Sequence, residues 1–499
     1  MKRTLFNFAA TAALLLAAPA FAETFTVTFV QTNDIDRMDA SDERGGFAKL
    51  AAVVKAERAK GGNVFFVHSG DTVSPSLLSG IDKGAHIIDI LNHMNVDVMV
   101  PGNHEFDFGP EVFQTRISEA TFPIVSANIV MPTGGGPANT TPTKVVEVGG
   151  VKIGFYGLTT EDTVEVSSPG DIVFTDSVET GIDTAEDLRN EGTDIVVAVV
   201  HTPIDVDMAL ARAGAADVIL SGHDEFLMAY FDGVHVITES YSQADWVVMT
   251  DLTITREEED GEVSVSWAPA FRLIDTTATE PDAEVAALVA SYNEKLDTAL
   301  GAVVGTTTTA LDSRRTTVRG QEAAIGNLIA DAIRATVEAD VGITNGGGIR
   351  ADTEYAAGTE LTGKDIFAEL PFGNKTVKLE VTGENIRVGL ENGFSQIETA
   401  GGRFPQVSGL NVTVDVNAPP GERITDITIG GAPLDPVRVY TVATNDFMAG
   451  GGDGYVAFVG SNNLITAADA TLMASQVIDY ITAAGSVAPA VEGRIVLEQ

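Results

Sequence analysis

Acidic residues, histidines and an asparagine recur in this sequence directly after short β-rich runs, and that placement suits metal chemistry. Asp34 and Asp36 follow Phe25–Val30, and Asp71, in His68-Ser-Gly-Asp71, follows Val64–Val67. Asn103-His104-Glu105 follows Val96–Val100 across Pro101-Gly102. His201 follows Ile195–Val200, and His223, in Ser221-Gly-His-Asp-Glu225, follows Val218–Leu220. Ligands of α/β sheets bind beyond the carboxyl ends of the strands, so five strands can converge these side chains on one crevice. Oxygen and imidazole donors suit Mn²⁺, Fe, Co²⁺, Zn²⁺, Mg²⁺ or Ca²⁺. A lone acid after a strand is more often a cap or turn former, so the joint pattern carries the reading. Of seven histidines, His104, His201 and His223 are the candidates for chemistry; His68, although it directly follows Val64–Val67, is read as structural with His86, His93 and His235.

The elements that must position these residues alternate. Val151–Tyr156 and Ile124–Ser126 add two more apolar, β-branched runs, and helical patterns fall at 47–59, 84–93, 177–189 and 205–213. Alternation of this kind predicts an α/β domain with layered sheets. The strip Asp275–Asp282 is polar and carries Pro281. A helical face of Val285, Leu288, Val289, Tyr292 and Leu296 follows it, which reads as a linker helix over 275–300. A second domain is expected from 301 to 499, with helices at 323–337 and 463–483.

Composition bounds the rest. At 499 residues and 44% hydrophobic, the chain can build two or more cores. There are no cysteines, which excludes disulfides, thiolate catalysis and cysteine-bound zinc. The net charge of −41 repels nucleic acid polymers and anionic lipid, so neither is expected as a partner. Lys2-Arg3, the apolar run Ala9–Ala18 and Ala20-Phe21-Ala22 have the three parts of a secretory signal over 1–22. That apolar run is too short for a bilayer, which needs roughly 20 residues, and no later stretch is long enough. A periplasmic or secreted location and a monomer or weak homo-oligomer are expected.

A second constellation lies in the C-terminal half. Asn345-Gly-Gly-Gly-Ile-Arg350 combines glycines that permit close backbone approach with a planar cation suited to phosphate. Thr444-Asn-Asp-Phe447-Met-Ala-Gly-Gly-Gly-Asp453-Gly-Tyr supplies an aromatic face for a base and a carboxylate for ribose hydroxyls. Leu370-Pro-Phe372-Gly-Asn supplies a second ring, and two rings can sandwich a base whatever its identity. Arg314, Arg315 and Arg403 are read as surface or structural cations.

The blocks Thr32-Asn-Asp-Ile-Asp36, Ser69-Gly-Asp71, Gly102-Asn-His-Glu-Phe-Asp107, His201 and Gly222-His223 resemble the calcineurin-like metallophosphoesterases. The C-terminal motifs match as well, so nearly the whole chain resembles the 5′-nucleotidase / UDP-sugar hydrolase family. The resemblance implies a four-layer α/β/β/α sandwich over 23–274, joined by the linker helix to a C-terminal α/β substrate-binding domain. It implies hydrolysis of nucleotides by attack of a metal-bound hydroxide in the inter-domain cleft, with two divalent ions. Asp71 would bridge them, with Asn103, His201 and His223 completing a second site of Zn, Mn or Fe type. His104 and Asp107 would be the catalytic dyad, and Arg319, Asn345, Arg350, Phe372, Phe447 and Asp453 the substrate contacts. Cyclic-nucleotide phosphodiesterase activity, nucleotide-sugar diphosphatase activity and plain nucleotide binding are the alternatives. The first site departs from the family: Asp36 stands where it has His, and Glu225 where it has His or Gln. Four carboxylates, Asp34, Asp36, Asp71 and Glu225, would then suit a hard cation such as Ca²⁺, Mg²⁺ or Mn²⁺.

Overall fold

The computed structural model describes residues 21–40, 43–259, 262–465 and 471–498. The expected export signal lies outside the described residues, apart from Phe21 and Ala22, which start the first strand opposite Glu258 and Glu257.

Two sheets stack face to face in the N-terminal half. The first runs in the order Glu262–Asp275, Trp246–Glu259, Phe21–Thr32, Asn63–His68, Val98–Met99. The second contains Leu227–Phe231, Val236–Ser240, Val218–Leu220, Ile195–His201, Val151–Thr159 and Thr143–Val148, also in spatial order. Alternation along each strand sorts the side chains into layers. Phe29, Val67, Phe155, Val197 and Leu252 fill the space between the sheets, where Phe29 meets Phe155 edge-on at 6.0 Å. Val30 and Phe66 face outward to the helices Phe47–Ala59, Ala85–Met94 and Pro110–Glu119. Tyr156, Leu158, Val196 and Ala198 face the opposite way, toward Ser177–Asn190 and Ile204–Ala213. The strand Ile-Val-Val-Ala-Val-Val-His is buried along its whole length, which is why it reads as an unbroken apolar run. The fold is therefore two-domain α/β, with helix, sheet, sheet and helix layers in the first half.

Three expectations change. Val96–Val100 forms ladder pairs only at Val98–Met99, and Ile124–Ser126 makes isolated bridges to Met99 and Thr141 in place of a strand. The run 463–483 is not one helix: Asn462–Ile465 is an edge strand beside Thr376–Thr382, and the helix spans Met473–Ala484. The long hairpin Trp246–Asp275 has an exposed outer strand, and its polar alternation hid it from a search for apolar runs.

The expected linker helix spans Ala283–Leu300, with the Asp282 side chain capping its N-terminus by accepting from Val285 N–H. Its apolar face is not free. Val285, Val289 and Leu296 are buried in the first domain's core. The second domain centres on a sheet in the order Pro405–Ser408, Val341–Asn345, Val439–Asn445, Thr376–Thr382, Asn462–Ile465. Helices Ala324–Thr336 and Met473–Ala484 cover one face; Gly383–Gly393 and the sheet containing Leu410–Asp415 cover the other.

The halves meet closely. Leu77 and Leu300 pack against both cores. A Cβ on Gly80, in the short helix Ser79–Asp82, would lie 2.9 Å from the Pro371 carbonyl oxygen of the other domain. Gly80→Leu should leave each domain folded and oppose this contact by about 1–3 kcal/mol, the usual cost of overpacking. Small-angle scattering should then report a larger radius of gyration; an unchanged profile would mean the close approach does not hold the domains together.

Candidate active site

The parallel strands deliver their carboxyl ends to one edge of the sandwich. Asp71 carries an oxygen, His201 and His223 a ring nitrogen each, and these three atoms lie within 4.8 Å of one another. Nε2 of His201 is 3.0 Å from Asp71 Oδ2 and 3.2 Å from Asn103 Oδ1, and His223 Nδ1 is 3.1 Å from the same amide oxygen. The His201 tautomer follows from its other nitrogen: Nδ1–H donates to the Ser69 carbonyl at 2.7 Å. Nε2 is left facing the cluster, as in metal sites where the outer hydrogen bond orients the imidazole. One carboxylate, two imidazoles and an amide oxygen make a donor set that fits a divalent ion. The glycines of the quoted blocks make the approach possible. A Cβ on Gly70 would sit 2.8 Å from His201 Nδ1, and one on Gly222 2.6 Å from the Ser69 carbonyl oxygen.

Electrostatics point the same way. Burial alone would raise the Asp71 carboxyl, but the imidazoles of His201 and His104 outweigh it and hold it well below the usual carboxylate range. Burial disfavours a charged His201, yet Asp71 raises it to about 10. Burial, aided by His201, pushes His223 down to about 4. The field around Asp71 therefore favours positive charge. Strain accompanies the site: Asp34, Asp71, His223 and Glu225 all have positive φ, between 53° and 96°, which costs non-glycine residues energy.

The carboxylates of the expected first site are less gathered. Backbone bonds from Asp34 N–H to Gly70 O and from Ile35 N–H to Asp71 O, each 2.9 Å, tie the first two loops together. Asp34 Oδ2 accepts from Asn33 Nδ2 at 2.7 Å and from His223 N–H at 3.1 Å. Burial pushes its carboxyl up to about 7, with His201 opposing and the like charge of Asp71 adding to the rise. Asp36 is buried and hydrogen-bonded to the Gln243 amide, whereas Glu225 is exposed. Among the described residues, Asp34, Asp36 and Glu225 do not join Asp71 in a tight cluster. An all-oxygen donor set still matches a hard cation in its chemistry.

His104 stands beside this centre. Its backbone N–H donates to Asp71 Oδ1 at 2.8 Å, and its Nδ1 is 2.6 Å from Asp107 Oδ2. Ser167 Oγ–H donates to the other Asp107 oxygen at 2.7 Å. Burial works against a charged His104, but Asp107 and then Asp71 raise it to about 9. With Nδ1 held by Asp107, Nε2 is the nitrogen free to act.

All six expected substrate contacts line one cavity of about 230 Å³ together with Asn103, His104 and Asp107. The Phe372 ring stacks on the His104 imidazole at 6.0 Å, and the Arg350 guanidinium lies 5.4 Å from the Phe372 ring centre. Asn345 Nδ2 donates to Asp453 Oδ2 at 2.6 Å, and Asn445 Nδ2 holds the Asn345 oxygen at 3.0 Å. Burial pushes the Asp453 carboxyl up, opposed by that Asn345 bond. Arg319 is buried with its Nε unpartnered among the described residues. Burial, then the neighbouring Arg350 and Arg315, disfavour its charge, so an anion would be stabilised there. Arg319 and Arg350 also line a second cavity of about 610 Å³, with Asp36, Glu225 and Arg315 on its walls. The two cavities thus share the arginines.

Several residues escaped the sequence reading. Glu105, 1% exposed, accepts N–H bonds from Asp71, Thr72, Val73 and Gly102 and so fixes the two ligand loops against each other. Its only signal is an acid inside a metal-ligand block. Arg315 is exposed, as its reading as a surface charge expects, and also lines the larger cavity; its spacing of four from Arg319 was the available hint. Ser167 and Gln243 gave no local signal, and Asn445, although inside a quoted motif, was assigned no role. Arg403, read as structural, donates from Nη1 to Asn392 Oδ1 at 3.1 Å. His68 is fully buried, and burial pushes it down to about 4.

Comparison with known proteins agrees with this architecture. Residues 27–224 match the calcineurin-like phosphoesterase model and residues 303–460 the 5′-nucleotidase C-terminal domain model. A trifunctional nucleotide phosphoesterase protein of Bacillus subtilis is 31% identical over 82% of this chain, which spans only 31% of that protein's length. The snake venom 5′-nucleotidase of Naja atra is 27% identical over 95% of this chain and 98% of its own. The crystal structure of a 5′-nucleotidase precursor from Thermus thermophilus superposes with a TM-score of 0.77 at 28% identity, covering 95% of this chain and 99% of that one. With a phosphoesterase domain leading and a nucleotidase domain following in one continuous fold, the chain belongs to the 5′-nucleotidase family of calcineurin-like phosphoesterases and is a hydrolase of phosphate esters.

Proposed function

We propose that this enzyme is an exported, metal-dependent hydrolase of nucleotides that works in the cleft between its domains. The observation that carries the reading is the shared cavity: His104 of the first domain and Arg350, Phe372, Phe447 and Asp453 of the second line one space. Asp71, Asn103, His201 and His223 would hold one divalent ion, of Zn, Mn or Fe type. Asp34, Asp36, Asp71 and Glu225 would hold the other, a hard cation such as Mn²⁺, Mg²⁺ or Ca²⁺. Bound divalent ions supply Lewis acidity, which activates water and offsets phosphoryl charge.

The chain's own residues do the rest. Arg319 and Arg350, neither held in a close ion pair among the described residues, bind the phosphate as cations. Phe447, resting on Gly452, and Phe372 hold the base, while Asp453, steadied by Asn345, accepts from ribose hydroxyls. His104 presents Nε2 to the phosphoryl group and gives its proton to the leaving oxygen as the P–O bond breaks; Asp107 keeps the ring oriented through Nδ1. The arginine pair reaching into the larger second cavity also favours phosphoanhydrides with a bulky second group, so nucleotide-sugar cleavage is the second reading. Export is supported by the signal-like N-terminus and by the venom relative. No described helix is long and apolar enough to cross a membrane.

With AMP as substrate, His104→Ala should lower kcat by about 10²–10⁴-fold, the usual worth of acid–base catalysis, with little change in KM. Arg350→Ala should mainly raise KM, by about 10–100-fold, the loss expected for a charged hydrogen bond. Equal effects on both constants in both variants would contradict this division of labour. Phe447→Ala should raise KM for AMP yet leave turnover of p-nitrophenyl phosphate, which has no nucleobase, near wild type. Removal of metal with a chelator should abolish phosphate release, and adding back Mn²⁺ should restore it. His223→Ala should bind one ion fewer than wild type by elemental analysis; equal metal content in the two proteins would rule His223 out as a ligand.

A further inference from the structure

Gln243 lies more than two hundred residues from Asp36 in sequence, yet the fold brings its side chain onto the Asp34–Arg37 turn. The Gln243 amide uses both ends there. Nε2–H donates to Asp36 Oδ1, and Oε1 accepts from the Arg37 backbone N–H at 3.1 Å. The backbone is engaged as well: Gln243 N–H donates to the Asp34 carbonyl at 2.7 Å, and the Gln243 carbonyl accepts from Gly46 N–H at 2.9 Å. The segment holding it is strained, since Tyr241, Gln243 and Ala244 have φ of 66°, 57° and 55°. Its neighbour Tyr241 offers a carbonyl to Asn33 Nδ2, the group that also donates to Asp34 Oδ2. Three left-handed non-glycine residues within four positions persist only where surrounding contacts over-determine them. Asp36, Glu225 and Gln243 line the same cavity.

We propose that Gln243 is the positioning residue of the first cation position, gripping one oxygen of Asp36 so that the other is presented to the ion. Carboxylates that bind metals are themselves oriented by outer hydrogen bonds, and losing such a partner typically costs about 10–100-fold in metal affinity. An imidazole at position 36 would need a different outer partner. A carboxylate there can rotate, and an amide that donates to one of its oxygens while reading the adjacent Arg37 N–H stops that rotation. The inference rests on the two-ion reading above.

The test is titration of metal-free full-length protein with Mn²⁺ alone, followed by calorimetry and by Mn²⁺ electron paramagnetic resonance, with the Tm of each metal-free protein recorded. Wild type should bind two ions. Gln243→Met, close in shape but without hydrogen bonds, should weaken the weaker ion by about 10–100-fold and leave the tighter one at the histidine cluster unchanged. Asp36→Ala should have a similar selective effect, and adding Gln243→Met to it should cost nothing further, because the glutamine then has no carboxylate to hold. Two ions of unchanged affinity in Gln243→Met would overturn the proposal and leave the two-ion reading intact. So would additive losses in the double variant, or loss of both ions together with a fall in Tm, which would mark general collapse of the loop. A single ion in wild type would overturn both.

Discussion

A buried carboxylate keeps its charge when cations or hydrogen-bond donors stand beside it, and Asp71, 5% exposed, is where this molecule meets that requirement. Its two oxygens face His201 Nε2 and the His104 backbone N–H. Each of those neighbours is tied in turn: His201 to the Ser69 carbonyl, His104 to Asp107 and through it to Ser167. Glu105 then binds the amide of Asp71 and those of the two following residues. The loop that carries Asp71 thus has almost no freedom of its own. Its positive φ is held in place by contacts on both sides, which is how strain survives at a functional site.

The layered sheets explain why these loops can be so constrained. Strands Phe21–Thr32, Asn63–His68 and Ile195–His201 are anchored by a dry core between two sheets, so their carboxyl ends are fixed relative to one another. Ligand loops of one to a few residues leave each strand end. Short loops on rigid strands locate a side chain more sharply than long ones can. The substrate half follows another logic. Arg350 and Phe447 follow the strands Val341–Asn345 and Val439–Asn445, Arg319 and Phe372 follow the short helices Arg315–Val318 and Gly363–Glu369, and glycines such as Gly347, Gly402 and Gly452 clear the space around Asn345, Asp453 and Phe447.

How much of this was legible in the sequence depended on whether the signal was local. Asp71, Asn103, His201 and His223 each follow a strand within a residue or a few, so the convergence of their strand ends could be argued from topology alone. The C-terminal residues were legible because Asn345–Arg350 and Asn445–Asp453 are contiguous runs with unusual composition. What was not legible was long-range or alternating. Gln243 reaches Asp36 only because the strand Val236–Ser240 runs beside Val218–Leu220 and ends near the first loop. The hairpin Trp246–Asp275 alternates polar and apolar residues, so its outer face dilutes any search for apolar runs. The run after 462 held both a strand and a helix, and periodicity alone merged them.

Charge raises a further constraint on an enzyme for anions. A net charge of −41 works against the approach of any phosphate. Locally, Arg315, Arg319 and Arg350 line one cavity, none of them in a close side-chain ion pair among the described residues, and Arg319 is largely buried, with Asp453 and Asp352 partly offsetting its charge. Crowded guanidiniums repel one another, as the pressure on Arg319 from Arg350 and Arg315 records. That repulsion is unfavourable in the free protein, and an anion placed among the guanidiniums would relieve it. A chain rich in acids thus gathers three arginines on the walls of the inter-domain cleft, two of them also lining the cavity that holds His104.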